Sequence, residues 1–355
     1  MIMQIDMHFY GIYALARAAG IKPDSAHTIA YASQFVDDAL DGEVNILKNH
    51  KAVFPIITSH KPMDYQNAML RDQWKVWVPF HFLPGNLKNG RSFYEKMQCL
   101  KATESETAGK ILAHSLAHKL KPYGAHLAGV TAHVYADTFA HYGFVGLSAD
   151  WNKVKSGSVK PSKSHTDRIK KYILGKFENF KIRIAGTFAE SVPVGHGAVA
   201  TYPDRPYLKW RYVPEISRKE ITRDNSQDFL KGCELLYNFF IDFAKDNPAH
   251  GKPSPRSFAD IRKRVEAILK KEGKKKERIS QWEKAIARNA LFQATQKDKK
   301  VKYKESDWEY HRISRHLELY PTLDDCHSSH FIHAAWKHRN YVLYDLLPEV
   351  GLMAN

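Results

Sequence analysis

The sequence has little cysteine and no long apolar run. Its 3 cysteines lie far apart and form no Cys-x-x-Cys pair. They predict neither a disulfide framework nor a zinc ribbon, and they favour a reducing compartment. No apolar stretch approaches the roughly 20 residues that span a bilayer, and the first residues lack the basic segment of a signal peptide. We therefore expect a cytoplasmic protein without a transmembrane segment.

Several enzyme signatures are also missing. The sequence contains no P-loop, no glycine-rich dinucleotide motif, no nucleophile elbow and no arrangement typical of a Cys–His dyad. No His-Asp dipeptide occurs, which argues against a helical phosphohydrolase of the HD type. The chain does contain 19 histidines, which is many for its length, and histidine is the commonest metal ligand.

The positive charge is concentrated in one segment. The net charge is +16, yet residues 1–150 hold 14 Lys/Arg against 13 Asp/Glu, while residues 251–304 hold 18 against 6. Such a basic segment predicts contact with a nucleic acid or an anionic membrane surface. A solvated helical face that keeps the protein soluble is an equal alternative.

The most informative stretch is His133-Val-Tyr-Ala-Asp137-Thr-Phe-Ala-His141. It contains neither proline nor glycine, and apolar residues precede it from Ala125 onward. On a helix each four-residue step turns the side chain by only about 40°, so His133, Asp137 and His141 share one face. Imidazole nitrogen and carboxylate oxygen together suit zinc, manganese or iron. The alternative is a set of buried polar groups satisfied by neighbouring helices.

Acidic residues close a second predicted helix. Pro23 and Asp24 are typical of a helix start, and the apolar spacing continues to Asp37 and Asp38. Carboxylates at this end are unfavourable, because the helix dipole prefers cations there. We therefore expect at least one of them to act in a metal or substrate site, the alternative being that both are solvated.

Two histidines lie where neighbours restrict the backbone. His81 stands between aromatic residues and prolines in Val-Pro-Phe-His-Phe-Leu-Pro-Gly, and His196 stands between Gly195 and Gly197. Glycines allow the backbone to approach closely and present one side chain to a ligand. Both histidines are candidate ligands, although an ordinary core histidine and a plain glycine-rich turn would have the same pattern.

We predict a mainly α fold, a helical bundle with a few short strands, irregular loops and a basic helical C-terminal part. Residues 1–215 would form the metal-binding domain, with the basic helical region 216–355 packed on it. The apolar spacing also predicts short strands at 53–58 and 74–82, a solvated linker at 297–304 and a helix at 307–319.

The order of the candidate ligands resembles the zinc-dependent phospholipase C / P1-type nuclease superfamily, and an uncharacterised bacterial family distantly similar to it. The matching residues are His8, Asp38 (or Asp37), His60, His133, Asp137, His141 and His196. The resemblance implies an all-helical fold and a zinc cluster in which Asp137 bridges, with His60 a better match by spacing than His81. The expected number of ions is one to three. One or two are favoured, because Ala200 stands where the pattern has an acid and no N-terminal Trp is present.

These observations predict a metal-dependent phosphoester hydrolase that uses metal-activated water. Asp37 or Asp38, whichever is not a ligand, would act as the base, and Arg205 would clamp the phosphate. One alternative is a zinc-dependent phospholipase acting on anionic lipid. Another is a non-enzymatic, metal-stabilised scaffold whose basic helices bind a nucleic acid or an acidic partner.

Overall fold

Helices make up most of the structure, which confirms the predicted mainly α fold. The computed structural model describes residues 5–40, 42–46, 52–60, 69, 72–187, 193–308 and 326–353. The α-helices of these residues are α1 Ile12–Ala18, α2 Pro23–Asp38, α3 Val78–Phe80, α4 Phe93–Met97, α5 Glu106–Ala117, α6 Gly124–His141, α7 Asp167–Thr187, α8 Asn225–Ala244, α9 Phe258–Lys270, α10 Lys275–Ala287, α11 Gln296–Lys299 and α12 His327–Asn340. Segments of π-helix lie at Asp6–Gly11, Gln73–Trp77 and Tyr341–Leu346.

The described strands are short and antiparallel. They are β1 Asn45–Ile46, β2 Ala52–Val53, β3 Lys160–Pro161, β4 Lys209–Tyr212 and β5 Ile221–Asp224. β1 pairs with β2, and the other three form a sheet in the order β3-β4-β5. In this sheet Trp210 faces Arg223 across β4 and β5, and both side chains are buried.

Helix α6 lies at the centre of the bundle. All 18 of its residues are buried, although one face contains His133, Asp137 and His141 among the apolar residues. Helices α2, α8, α12 and α5 pack around it. Polar groups on α6 must therefore find their partners inside the protein.

The contact between α2 and α6 is unusually close. A Cβ added at Gly129 of α6 would lie 2.3 Å from the carbonyl oxygen of Ile29 and 2.6 Å from the Cβ of Ala32. Only glycine on one helix and a small residue on the other permit this approach. The close crossing places the carbonyl of Ser33 and the carboxylate of Asp37, both on α2, next to the polar face of α6.

A second, smaller core packs beside the bundle. Its buried side chains are mostly aromatic and come from α7, the β3-β4-β5 sheet, and the segments around residues 77–82 and 199–208. The main core includes residues from Met7 to Leu347, so both halves of the chain contribute to it. The predicted boundary at 215/216 stays a prediction.

The N-terminal π-helix is attached to the C-terminal half by a buried ion pair. Arg278 of α10 donates from Nε to Oδ2 of Asp6 at 2.8 Å and from Nη2 to Oδ1 at 3.1 Å. Both side chains are at most 4% exposed. A bidentate pair of this kind holds two elements in a defined orientation, and here it orients the segment that contains His8.

Two local predictions were wrong, and a third was right for one residue only. Residues 74–82 are helical instead of extended, since the π-helix Gln73–Trp77 continues into α3, and residues 76–85 are buried without alternation. The predicted linker at 297–304 begins in α11, where Asp298 is fully buried and accepts hydrogen bonds from Tyr13 and Arg17. Of the predicted strand at 53–58 only Val53 pairs, within β2. Most of the predicted helix 307–319 lies outside the described residues.

Candidate metal centre

Helix α6 presents His133, Asp137 and His141 on one face, as the four-residue spacing predicts. Oδ2 of Asp137 lies 3.3 Å from Nε2 of His133 and 3.5 Å from Nδ1 of His141. All three residues are completely buried. Asp137 is therefore the shared carboxylate around which the other groups are arranged.

His8 approaches Asp137 from the N-terminal π-helix. Its Nε2 lies 3.1 Å from Oδ1 of Asp137, and its ring stacks on that of His133 with centroids 3.9 Å apart. The widened π turn is a feature that often occurs at functional sites. His8, His133 and Asp137 form the first of three groups that could hold a metal ion.

The second group joins α2, α6 and the residue after α3. Oδ1 of Asp37 lies 4.0 Å from Nδ1 of His81 and 3.8 Å from Nε2 of His133. The same Nδ1 of His81 lies 3.1 Å from Oδ2 of Asp137, which connects this group to the first. Oδ1 of Asp37 has no hydrogen-bond partner among the described residues.

The third group combines the end of α6 with the glycine-rich turn. Oδ1 of Asp204 lies 3.4 Å from Nε2 of His141 and 3.5 Å from Nε2 of His196. Neither oxygen of Asp204 has a hydrogen-bond partner among the described residues, although the side chain is buried. Three acceptor atoms therefore converge without a donor between them, which favours a bound cation.

The turn before His196 requires glycine. Gly195 has φ +54°, and an added Cβ would lie only 2.1 Å from the ring of Phe82. That ring stacks on His141 with centroids 4.8 Å apart. Ala200 also has a positive φ of 47°, which is uncommon for a residue with a side chain, and its carbonyl oxygen accepts a hydrogen bond from Nδ1 of His196 at 2.8 Å.

Backbone carbonyls fix the orientation of four of the imidazoles. In each ring one nitrogen lies 2.7–2.9 Å from a carbonyl oxygen, so that nitrogen must carry the proton and donate. The other nitrogen then has a lone pair, and it faces a carboxylate. Metal-binding histidines usually have such a carbonyl partner. The pairs are His133 with Ser33, His81 with Thr58, His141 with His81, and His196 with Ala200.

Burial determines the charge of the cluster. It lowers the pKa of His81, His133 and His196 to about 4, so these rings are neutral at pH 7. Burial alone would raise the pKa of Asp137, but His141 and His133 outweigh it and hold that pKa well below the usual range. Burial, helped by the Asp137 carboxylate, raises the pKa of Asp37 well above its usual range. Neutral imidazoles beside carboxylates are the protonation state that binds a divalent metal.

Asp37 belongs to the second of the three groups, whereas Asp38 belongs to none of them. Consecutive residues on a helix point about 100° apart, so only one of them faces α6. Asp38 is partly exposed, and its Oδ2 accepts hydrogen bonds from Tyr303 at 2.6 Å and from Gln34 at 3.0 Å. The prediction of Asp38 as a metal ligand is therefore corrected to Asp37 for the cluster that the structure describes.

His81 occupies the place that the spacing assigned to His60. His60 is buried, with its ring centroid 6.3 Å from that of Trp77, but it belongs to none of the three groups. Its segment still contributes, because the carbonyl of Thr58 orients His81. Spacing misjudged this position because the helical turn of α3, mistaken for a strand, carries His81 inward.

The sequence analysis missed Asp204 as a site residue. It lies eight residues after His196, so no helical spacing connects the two. The residue four after His196, Ala200, supplies a carbonyl in place of a carboxylate. The sequence did contain one indication of a site here, namely the adjacent charged residues Asp204 and Arg205 in a loop rich in glycine and proline. Arg205 itself is buried beside the cluster, and its Nη2 donates to Oγ1 of Thr201 at 2.9 Å.

The basic segment 251–304 is largely exposed on α9, α10 and the loops beside them. Its lysines are on the surface, whereas Arg278 is buried in its ion pair with Asp6. None of the described helices is both long and apolar enough to cross a membrane.

Comparison with known proteins adds one finding. No curated protein and no solved structure matches the chain. One family model matches residues 3–346, which is nearly the whole sequence, and its description is a family of unknown function. The match includes every residue of the three groups described above. The chain therefore belongs to the family of unknown function DUF6765.

Proposed function

We propose that this protein is a metal-dependent phosphoester hydrolase that uses zinc. One observation supports the proposal most. In a buried site, imidazole nitrogens lie 3.1–3.5 Å from carboxylate oxygens, with lone pairs facing each other. Two acceptors at this distance repel each other unless a proton or a cation lies between them. Five histidines and three carboxylates provide enough ligands for more than one ion.

The donor set fits zinc well. Nitrogen from neutral imidazole and oxygen from carboxylate are its usual ligands besides thiolate, and the same set accepts manganese or iron. A bound zinc supplies Lewis acidity toward a phosphoryl oxygen and generates a nucleophile from water at neutral pH. Asp137 would be shared between ions, as the resemblance to the phospholipase C / P1-type nuclease superfamily implies.

The other residues have roles that follow from their contacts. Asp37 has an unpartnered oxygen aimed at His81 and His133, which suits a ligand. The role of base then passes to Asp38, which Tyr303 and Gln34 hold in place. Arg205 would bind a phosphate group of the substrate. The exposed lysines of residues 251–304 would attract a nucleic acid or an anionic lipid, and a phospholipase remains an alternative of the same chemistry.

A metal-stabilised scaffold is the second candidate function. The side chains of the three groups are at most 1% exposed, and such closed surroundings are typical of structural metal sites. Cobalt substitution separates the two candidates. If inorganic phosphate changes the visible spectrum of the cobalt protein, an open coordination position exists, whereas an unchanged spectrum favours the scaffold.

The proposal is tested by activity and metal content together. We expect the zinc-loaded protein to hydrolyse bis(p-nitrophenyl) phosphate, and Asp137→Asn to lose both metal and activity. Asp150→Asn, at an exposed aspartate 74% accessible and paired with Lys153, is the matched control and should retain both. Hydrolysis by the chelated protein at the rate of the loaded protein would reject a metal mechanism.

A further inference from the structure

Arg205 is a buried cation without an acidic partner in the part of the chain that the structure describes. It is 2% exposed, yet its Nε and Nη1 have no hydrogen-bond partner among the described residues. It also makes no ion pair with any described carboxylate, since neighbouring Asp204 faces His141 and His196. Burying a guanidinium in this state is costly unless an anion joins it.

Two buried hydroxyl groups lie in the same loop as Arg205, on side chains that are 1% and 3% exposed. The hydroxyl of Tyr202 has no hydrogen-bond partner among the described residues. The hydroxyl of Tyr207 lies beside the guanidinium of Arg205, and its own proton has no acceptor among these residues. Burial raises the pKa of both tyrosines, and the charge of Arg205 opposes that rise in each case. The side-chain amide of Asn225 donates to the backbone carbonyls of Tyr202 at 2.8 Å and of Arg205 at 2.9 Å, so one tight turn of the loop holds these residues together. Three polar side chains with unused donors therefore belong to one place.

Further positive charge surrounds this place. The guanidinium carbon of Arg205 lies 5.1 Å from the ring centroid of Tyr172, and Nζ of Lys274 lies 5.6 Å from the same ring. The guanidinium of Arg278 lies 6.0 Å from the ring centroid of Tyr207. Asp6 neutralises Arg278, which leaves Arg205 and Lys274 as a net positive pair. Lys274 is exposed, so the cluster reaches the surface on this side.

We propose that Arg205, Tyr202 and Tyr207 form a phosphate-binding pocket that is separate from the metal centre. A phosphate accepts hydrogen bonds from a guanidinium and from hydroxyls, and arginine's planar fork matches two of its oxygens. The residues of the pocket are neighbours in sequence of residues in the metal centre, in two segments of the chain. Arg205 follows Asp204, and Asp6, the partner of Arg278, precedes His8 by two residues.

The pocket specifies a class of substrate. A substrate with one phosphate at the metal centre and a second in the Arg205 pocket carries two phosphate groups a short distance apart, as in an oligonucleotide or a terminally phosphorylated diester. A zwitterionic phospholipid with a single phosphate lacks the second group. This assignment to the substrate rests on the proposed function, whereas the affinity of the pocket for phosphate does not.

Calorimetric titration with inorganic phosphate tests the pocket on the full-length protein. We expect phosphate to bind to the native protein and equally to Asp137→Asn, whose metal centre is disabled. Arg205→Met should weaken binding by about tenfold or more, because charge-assisted hydrogen bonds are lost. The matched control Arg211→Met removes an exposed arginine, 49% accessible and paired with Glu220, and should bind phosphate normally.

The outcomes separate this inference from the proposed function. Unchanged binding in Arg205→Met, or no binding by the native protein, overturns the pocket even if the protein is a hydrolase. Binding that disappears in Asp137→Asn instead places phosphate at the metals and also overturns it. Tyr207→Phe provides a second variant that keeps the ring, and it should weaken binding by roughly fivefold through one lost hydrogen bond. Circular dichroism confirms that each variant is folded.

Discussion

Two groups of histidines lie around α6 in the part of the chain that the structure describes, and the first has the features of a metal site. The first surrounds the C-terminal half of α6 and includes Asp37, Asp137 and Asp204. The second lies at the N-terminal end of α6 and along α12 and contains His126, His327 and His338. None of the metal-ligand groups found among the described residues includes these histidines. Burial lowers the pKa of His133 in the first region and of His126 and His338 in the second, so these rings are neutral at pH 7. Burial alone would also lower the pKa of His141, but the carboxylates of Asp137 and Asp204 outweigh it and raise that pKa.

The difference lies in what the ring nitrogens face. Nε2 of His126 and Nδ1 of His327 are 3.1 Å apart, so one donates to the other and no cation is needed between them. Nδ1 of His126 has no hydrogen-bond partner among the described residues, but it faces no carboxylate of the three groups either. Nε2 of His338 donates to the carbonyl of Pro79 at 2.9 Å. Around Asp137, by contrast, acceptor faces acceptor. A histidine becomes a candidate ligand when its second nitrogen is oriented by a carbonyl and its first faces a carboxylate.

Removal of the central carboxylate should have the largest effect. Asp137→Asn keeps the shape of the side chain but removes the charge shared by four histidines, so we expect loss of at least one metal equivalent. In the metal-loaded protein the free energy of unfolding should fall by about 3–5 kcal/mol, because a buried cation loses its carboxylate partner. Elemental analysis and denaturant titration measure the two effects. His126→Gln, on the same helix, should keep its full metal content, and metal loss there would erase the distinction between the regions.

The next largest effect is expected at the turn that positions His196. Gly195→Ala introduces a Cβ against the ring of Phe82 at a positive φ, which should destabilise the protein by about 2–4 kcal/mol. Metal bound through His141, His196 and Asp204 should be lost with it. Gly175→Ala is the control, since its Cβ meets no atom within 4 Å on α7, and it should stabilise by about 0.5–1 kcal/mol. A Gly195→Ala protein with native stability would contradict the close packing at this turn.

Acid stability should reveal the contribution of His338 in the second region. Burial lowers the pKa of His338 to about 4, so between pH 6.5 and 4 the unfolded chain takes up a proton that the folded protein does not. Stability therefore falls as the pH is lowered through this range. In His338→Gln, whose amide still donates to Pro79, this fall should shrink by about 3 kcal/mol. Unfolding titrations at both pH values, in chelator, measure it, and an unchanged fall would show that His338 does not contribute.

The smallest effect is expected on the basic surface, away from both histidine groups. Lys275→Gln combined with Lys276→Gln removes two exposed charges of α10, so the free energy of unfolding should change by less than about 0.5 kcal/mol. Binding to a nucleic acid should weaken, with a salt dependence less steep by about one unit per lost contact. If the double variant binds with the affinity and the salt dependence of the native protein, this surface is not part of the binding site.

Much of the bundle could be predicted from the sequence because it depends on local signals. Pro23 begins α2 and the apolar run from Ala125 forms α6, and both helices lie within a residue or two of their predicted limits. The segment 74–82 was misjudged because a buried run without alternation does not distinguish strand from helix. Asp298 was placed in a linker because its partner Arg17 is distant in sequence.

The sequence by itself determined the part of the candidate site that lies on one helix. His133, Asp137 and His141 share a face because helical geometry alone brings every fourth residue together. Only the tertiary structure decided that Asp37 is chosen over Asp38, His81 over His60, and that Asp204 joins the cluster. These choices depend on how α2 and the loop containing His196 pack against α6, where Gly129 and Gly195 permit contacts that no local spacing encodes.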